Sequence, residues 1–175
     1  MLLDVSRPAR YAGPEYGCAE PPSRPRVTLA LAFPDTYEIG CSNLGIVILY
    51  RIAASLPWVR VERAFAPWND YAARLLQEKE SLLSHESATP LRQFDILGFS
   101  LQHELLYTNV LLMLGLARIP LRSADRGEGD PLVIAGGPSA SNPEPLAPFI
   151  DAFALGDGEP ILPSILGAAA EGKEK

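Results

Sequence analysis

Short apolar runs of strand length alternate along this chain with longer runs at helical spacing, and that alternation is the strongest constraint on its fold. Val27–Phe33 (VTLALAF) is continuously apolar, as expected of a strand buried on both faces. Leu44–Leu56 then places Leu44, Val47, Ile48 and Ile52 at helical spacing and stops at Pro57. Val59–Phe65 alternates and reads as a second strand. Residues 69–83 read as an amphipathic helix with Asn69 or Asp70 as N-cap. A loop at 86–94 leads to a third strand, 95–101, and a third helix, 105–117. Pro131–Ala135 reads as a fourth strand, and 142–150 as a turn-rich segment holding a short helix. A fifth strand lies within 152–159, and a last helix spans 160–172.

Such a pattern predicts an α/β fold of flavodoxin-like (Rossmann-type) form. It is an open parallel sheet of about five strands in the order 2-1-3-4-5, with helices on both faces. The domain is expected over 26–175. Residues 1–25, rich in Pro, Arg and Gly, are expected to form an irregular arm anchored by Tyr11 and Tyr16.

Composition narrows the function classes. The net charge is −6 and the arginines are scattered, so no nucleic-acid surface is evident. The longest apolar stretches fall far short of the roughly 20 residues of a membrane span, and the N-terminus lacks a secretory layout. A cytoplasmic protein is expected. The two cysteines, Cys18 and Cys41, form no CxxC pair and no cluster motif, so neither a metal site nor a disulfide is expected.

Ligands of open α/β sheets bind outside the carboxyl ends of the strands, and there the chain carries its polar and glycine residues. The first strand is followed by PDTYEIGCSN, with Asp35, Tyr37, Glu38, Gly40, Cys41 and Asn43. The third is followed by Ser100, Gln102 and His103, the fourth by Gly136, Gly137 and Ser139, and the fifth by Gly156, Gly158 and Glu159. Gly136–Gly137 reads either as a close approach to a bulky ligand or as a tight turn. GDGE reads as a turn or as a carboxylate at a helix start. His103 stands at the ligand edge or serves as a surface cap, and His85 reads as a solvated loop residue. Cys41 either fills a helix start or has its thiol pKa lowered by the helix dipole. The dinucleotide fingerprint, the P-loop and the GxSxG elbow are absent. A receiver domain is set aside because the third strand ends at Ser100 and LGDGEP holds no lysine.

Asp35–Gly40, DTYEIG, has the spacing of the D-x-H-x-x-G loop of cobalamin-binding domains, with Tyr37 at the histidine position. Ser100 and Gly136–Gly137 follow in the order of the remaining motifs. The phrases LAFPDTYEIGCSNLGIVILYRI, FDILGFSLQHELLYTN and LVIAGGPSASNPEPLAPFIDAFALGDGEP resemble the N-terminal domain of cobalamin-binding-type radical SAM proteins, over residues 7–166. The resemblance implies a corrinoid cofactor at the strand ends. Its nucleotide tail would thread past Ser100, Gly136, Gly137 and Ser139, and its corrin would lie over Asp35–Cys41. A phenol is neutral at pH 7 and a poor ligand, so the cobalt's lower face would be open, water-bound or covered by Tyr37.

The sequence departs from the pattern at Leu101 and Gln102, which follow Ser100 where the serine motif differs. It also lacks CxxxCxxC, so no iron–sulfur cluster or S-adenosylmethionine site is expected within this chain, and no catalysis by it alone. The partner implied is a radical SAM barrel, in cis in relatives and in trans here if the chain is an isolated module or a truncated product. The alternative is a docking or scaffold domain that has kept the fold and lost the cofactor.

Overall fold

Residues 5–172 are described by the computed structural model of the chain. Five parallel strands, β1 (Val27–Phe33), β2 (Val59–Phe65), β3 (Ile96–Ser100), β4 (Leu132–Gly136) and β5 (Ala152–Ala154), stand in the order β2-β1-β3-β4-β5. The fold is α/β and flavodoxin-like, as the alternation predicts.

The continuous apolar runs make sense because both sheet faces are covered. Leu29, Leu31 and Ile96 on one face pack with Ile46 of α2 (Leu44–Ala54) and Leu162 and Leu166 of α5 (Gly158–Gly172). Leu97, Phe99 and Val133 on the other pack with Leu75 of α3 (Asn69–Glu78) and Val110 and Leu114 of α4 (Tyr107–Leu116). Each such aliphatic or aromatic side chain contributes about 1.5–3 kcal/mol on burial.

Several local expectations are corrected. The polar segment after β1 forms a short helix, α1 (Tyr37–Ser42), before Asn43 caps α2 by accepting from the Ile46 N–H at 3.1 Å. The helix expected over 69–83 ends at Glu78, where Lys79 turns left-handed at φ 56°. Beyond it Leu82 reaches the core from extended chain, its N–H bonded to the Leu116 carbonyl. The α3 N-cap is Trp68, without a side-chain bond. Asp70 instead accepts from the Ser6 N–H at 2.7 Å. Residues 142–150 form turns, and a 3₁₀ turn at Pro138–Ser141 precedes them.

The arm is irregular apart from a 3₁₀ turn at Pro8–Tyr11. Tyr11 anchors it, its ring tilted against that of Tyr71 at 4.2 Å and its hydroxyl accepting from the Trp68 N–H. Tyr16 does not, being fully exposed. The second anchor is Glu15, which reaches Arg63 of β2 at 2.8 Å. Together with Ser84–Thr89 the arm covers this edge strand, which is why Glu62 and Arg63 are buried. No helix among the described residues is long and apolar enough to cross a membrane.

Candidate functional site

Strand register aligns small residues on one sheet face. Leu31 of β1 pairs with Gly98 of β3, which pairs with Ile134 of β4. Two residues nearer the carboxyl edge, Ser100 pairs with Gly136, and Gly136 with Ala154. Branched side chains usually fill such positions in a parallel sheet. Here Gly98, Ser100, Gly136 and Ala154 leave a trough. Flanked by Ile48 and Leu49 of α2 and Leu162 and Ile165 of α5, it forms a cleft of about 610 Å3 at the carboxyl edge.

Room around each glycine separates its causes. A Cβ on Gly98 would lie 3.5 Å from Ile134 Cγ1, and one on Gly136 3.5 Å from Ala154, both ordinary contacts. Neither has positive φ. Neither backbone strain nor packing therefore requires glycine at those positions, and what glycine provides is the open trough. At Gly137, φ is 103° and a Cβ would stand 2.6 Å from the Leu101 carbonyl oxygen, so the turn itself demands glycine. Gly156, at φ 107°, belongs to the same class.

Polar groups gather at the mouth. Ser100 accepts from Gln102 Nε2 at 3.0 Å, leaving its own O–H to donate. Ser141 donates to the Pro138 carbonyl at 2.8 Å, and Asp157 and Glu159 line the opposite rim. Among the described residues, no lysine or arginine lines the cleft.

The structure brings together Ser100, Gln102, Gly136, Gly137, Gly156, Gly158 and Glu159 of the residues predicted from sequence. Gly98, Gly45, Ser141 and Asp157 were missed. Gly98 carried a usable signal, a glycine inside an otherwise apolar strand.

The rest of the predicted set lies elsewhere. Ser139 is buried, its carbonyl accepting from the Tyr107 hydroxyl at 2.8 Å. His103 is exposed beside Glu104, and Asn43 serves α2 as its cap. Asp35 bonds the Thr36 N–H at 2.7 Å. Glu38 pairs with Arg10 at 2.8 Å and Arg7 at 3.1 Å, and the Arg10 hydrogen bond holds its carboxyl below the usual range. A Cβ on Gly40 would collide with the Phe65 ring, so this glycine serves close packing. Burial, with Glu15 and Glu38 nearby, pushes the Cys41 thiol up rather than down.

Tyr37 does not line the cleft. Its ring stacks on His85 at 5.0 Å and meets Phe65 edge-on at 5.4 Å. His85, read from sequence as solvated, is only 6% exposed, because Gly13 and Glu15 of the arm fold over it. Its Nε2 is buried without a hydrogen-bond partner, 3.7 Å from a Glu15 oxygen, and burial lowers its pKa. Beside it Arg63 binds Glu86 at 2.6 Å and Glu15 at 2.8 Å. This cluster clamps the arm to β2.

A second hollow, of about 740 Å3, lies at the amino edge of the sheet around the starts of β3 and β4. Its side chains are engaged with one another, Arg92 with Asp130 at 2.9 Å and Asp95 with Thr28 at 2.8 Å. Among the described residues, no group of three or more His, Cys, Asp or Glu is placed to hold a metal ion.

No curated protein and no solved structure matches this chain. A family model does match. It begins at residue 45, just after β1 and the DTYEIG segment, and takes in the trough, its polar mouth and both flanking helices. With residues 45–175 matched, the chain belongs to the family of radical SAM proteins, N-terminal.

Proposed function

We propose that this chain is the cofactor-binding module of a radical SAM enzyme, and that the cleft receives the nucleotide tail of a cobalamin. The observation that carries the reading is the trough over Gly98, Ser100, Gly136 and Ala154, where two glycines have room for a side chain and carry none. A cleft of about 610 Å3 suits a flat heteroaromatic group, with apolar walls and a few polar groups at one end. The absence of cations along it among the described residues, with Asp157 and Glu159 also lining it, disfavours a free nucleotide carrying several phosphates. Asp157 and Glu159 are the residues that would face the corrin at the carboxyl edge.

The residues fit the tail and offer no ligand to the metal. Tyr37 is committed to His85 and Phe65, so the reading assigns no protein group to cobalt. Bound there, a corrinoid would supply cobalt-centred group transfer to a neighbouring radical SAM domain. Leu44, Leu105 and Leu155, 70%, 84% and 61% exposed, follow β1, β3 and β5 at the same edge. They favour a docking role for this edge, on which such a domain would close.

The test is titration of the purified chain with hydroxocobalamin, followed by absorbance and calorimetry. Saturable binding with the spectrum of a base released from cobalt is expected. Gly98→Val, which fills the trough, abolishes it, and Tyr37→Phe leaves it intact. A folded chain that shows no saturation in the high micromolar range would overturn the cofactor reading and leave the docking role.

A further inference from the structure

The cleft has two levels of different polarity. The mouth row, Ser100–Gly136–Ala154, carries the hydroxyls, Gln102 and the rim carboxylates. The deep row, Leu31–Gly98–Ile134, lies two residues down the strands, about 6.6 Å further in. Its side chains are hydrocarbon or absent, and Leu162 and Ile165 of α5 add apolar wall to the same cleft. The strand backbone of this row is taken up in the parallel ladder. A polar edge pushed to that depth would lose water and find no partner.

We infer that the deep row selects the tail base by polarity. It accepts a base whose buried edge is carbon, such as 5,6-dimethylbenzimidazole, and discriminates against adenine, whose buried edge carries an amino group and ring nitrogens. This rests on the cleft being the tail site. Burying an unpartnered amide-like group costs about 1–3 kcal/mol in protein interiors, which corresponds to roughly 5- to 150-fold in affinity.

The probes are hydroxocobalamin and its analogue with adenine as lower base. Release of the base from cobalt differs between them, so the ratio of their dissociation constants is compared across variants. Ile134→Thr places a hydroxyl in the deep row, and Ile134→Val is its control, matching it in shape without the hydroxyl. Wild type and Ile134→Val are expected to favour the benzimidazole form by the same ratio, and Ile134→Thr to narrow that ratio about tenfold. Equal ratios in the Thr and Val variants, or equal affinities of wild type for both cobamides, would overturn the selection while leaving the tail site in place. Binding of neither cobamide would remove both.

Discussion

Replacing Gly98 by alanine is expected to stabilise this protein. The new methyl would sit 3.5 and 3.8 Å from Ile134 carbons and 3.7 Å from Leu29 Cδ1, all ordinary van der Waals distances. Burying one methyl adds about 0.8 kcal/mol, and removing glycine's extra unfolded-state freedom from a strand adds roughly 0.5–1 kcal/mol. The sum is about 1.5 kcal/mol, an upper figure because one side of the methyl faces the cleft. For a chain of this size that raises Tm by roughly 3–6 °C. The assay is urea denaturation followed by circular dichroism, which should show a higher midpoint at unchanged slope. The same substitution narrows the trough, so stability and ligand affinity should move in opposite directions. A lower midpoint would mean that Gly98 is held by packing or backbone after all. The trough would then be a by-product of the fold, and the case for a ligand there would fail.

Gly40→Ala and Gly137→Ala should go the other way, each losing about 1–3 kcal/mol in the same assay. At Gly40 the methyl would meet the Phe65 ring, and at Gly137 it would stand in a left-handed turn against the Leu101 carbonyl. Arg63→Met leaves Glu15 and Glu86 facing each other without their cation, and should cost about 3–5 kcal/mol by denaturant titration. It should also expose the arm to limited proteolysis ahead of the rest of the chain. Burial works to raise the Glu62 carboxyl, but hydrogen bonds from Ser84, Ser87 and Arg60 outweigh it and hold the pKa below the glutamate value. Its stabilisation is thus complete above the unfolded value near 4.3 and is lost as pH falls through the lower folded value. Thermal melts from pH 7 to pH 3 should fall less steeply for Glu62→Gln than for the wild type.

The sheet was legible because burial on both faces writes itself into sequence as unbroken apolar runs. Its order followed from the number and kind of connections. What could not be read were contacts made at long range. His85 looks like a loop residue until Gly13 and Glu15, some 70 positions earlier, fold over it. Glu62 and Arg63 look like charges that a strand would leave in solvent, but the segment around Ser84 and Ser87 buries the first, and Glu15 of the arm with Glu86 buries the second. The α3 pattern ran on through Leu82 because helix and extended chain can both deliver a leucine to the core. The αL turn at Lys79 decides between them, and lysine does not announce it.

The glycines make the same case at the site. In sequence Gly40, Gly98, Gly136 and Gly137 are one letter, and all four lie at or near carboxyl strand ends. In space Gly40 lets a helix approach a phenylalanine ring, Gly137 turns the chain, and only Gly98 and Gly136 stand where a side chain would fit. The Gly-Gly pair therefore divides between two roles, the first glycine opening the trough and the second bending the backbone away from it. An evolved core normally fills such room, since packing there would add stability. Leaving it open beside Ser100 and Ala154, in three strands held in register, gives up stability that one substitution could supply. That cost is best explained by something entering the cleft, and it rests on Gly98 and Gly136 rather than on the segment from Asp35 to Cys41, which α1 and the arm occupy.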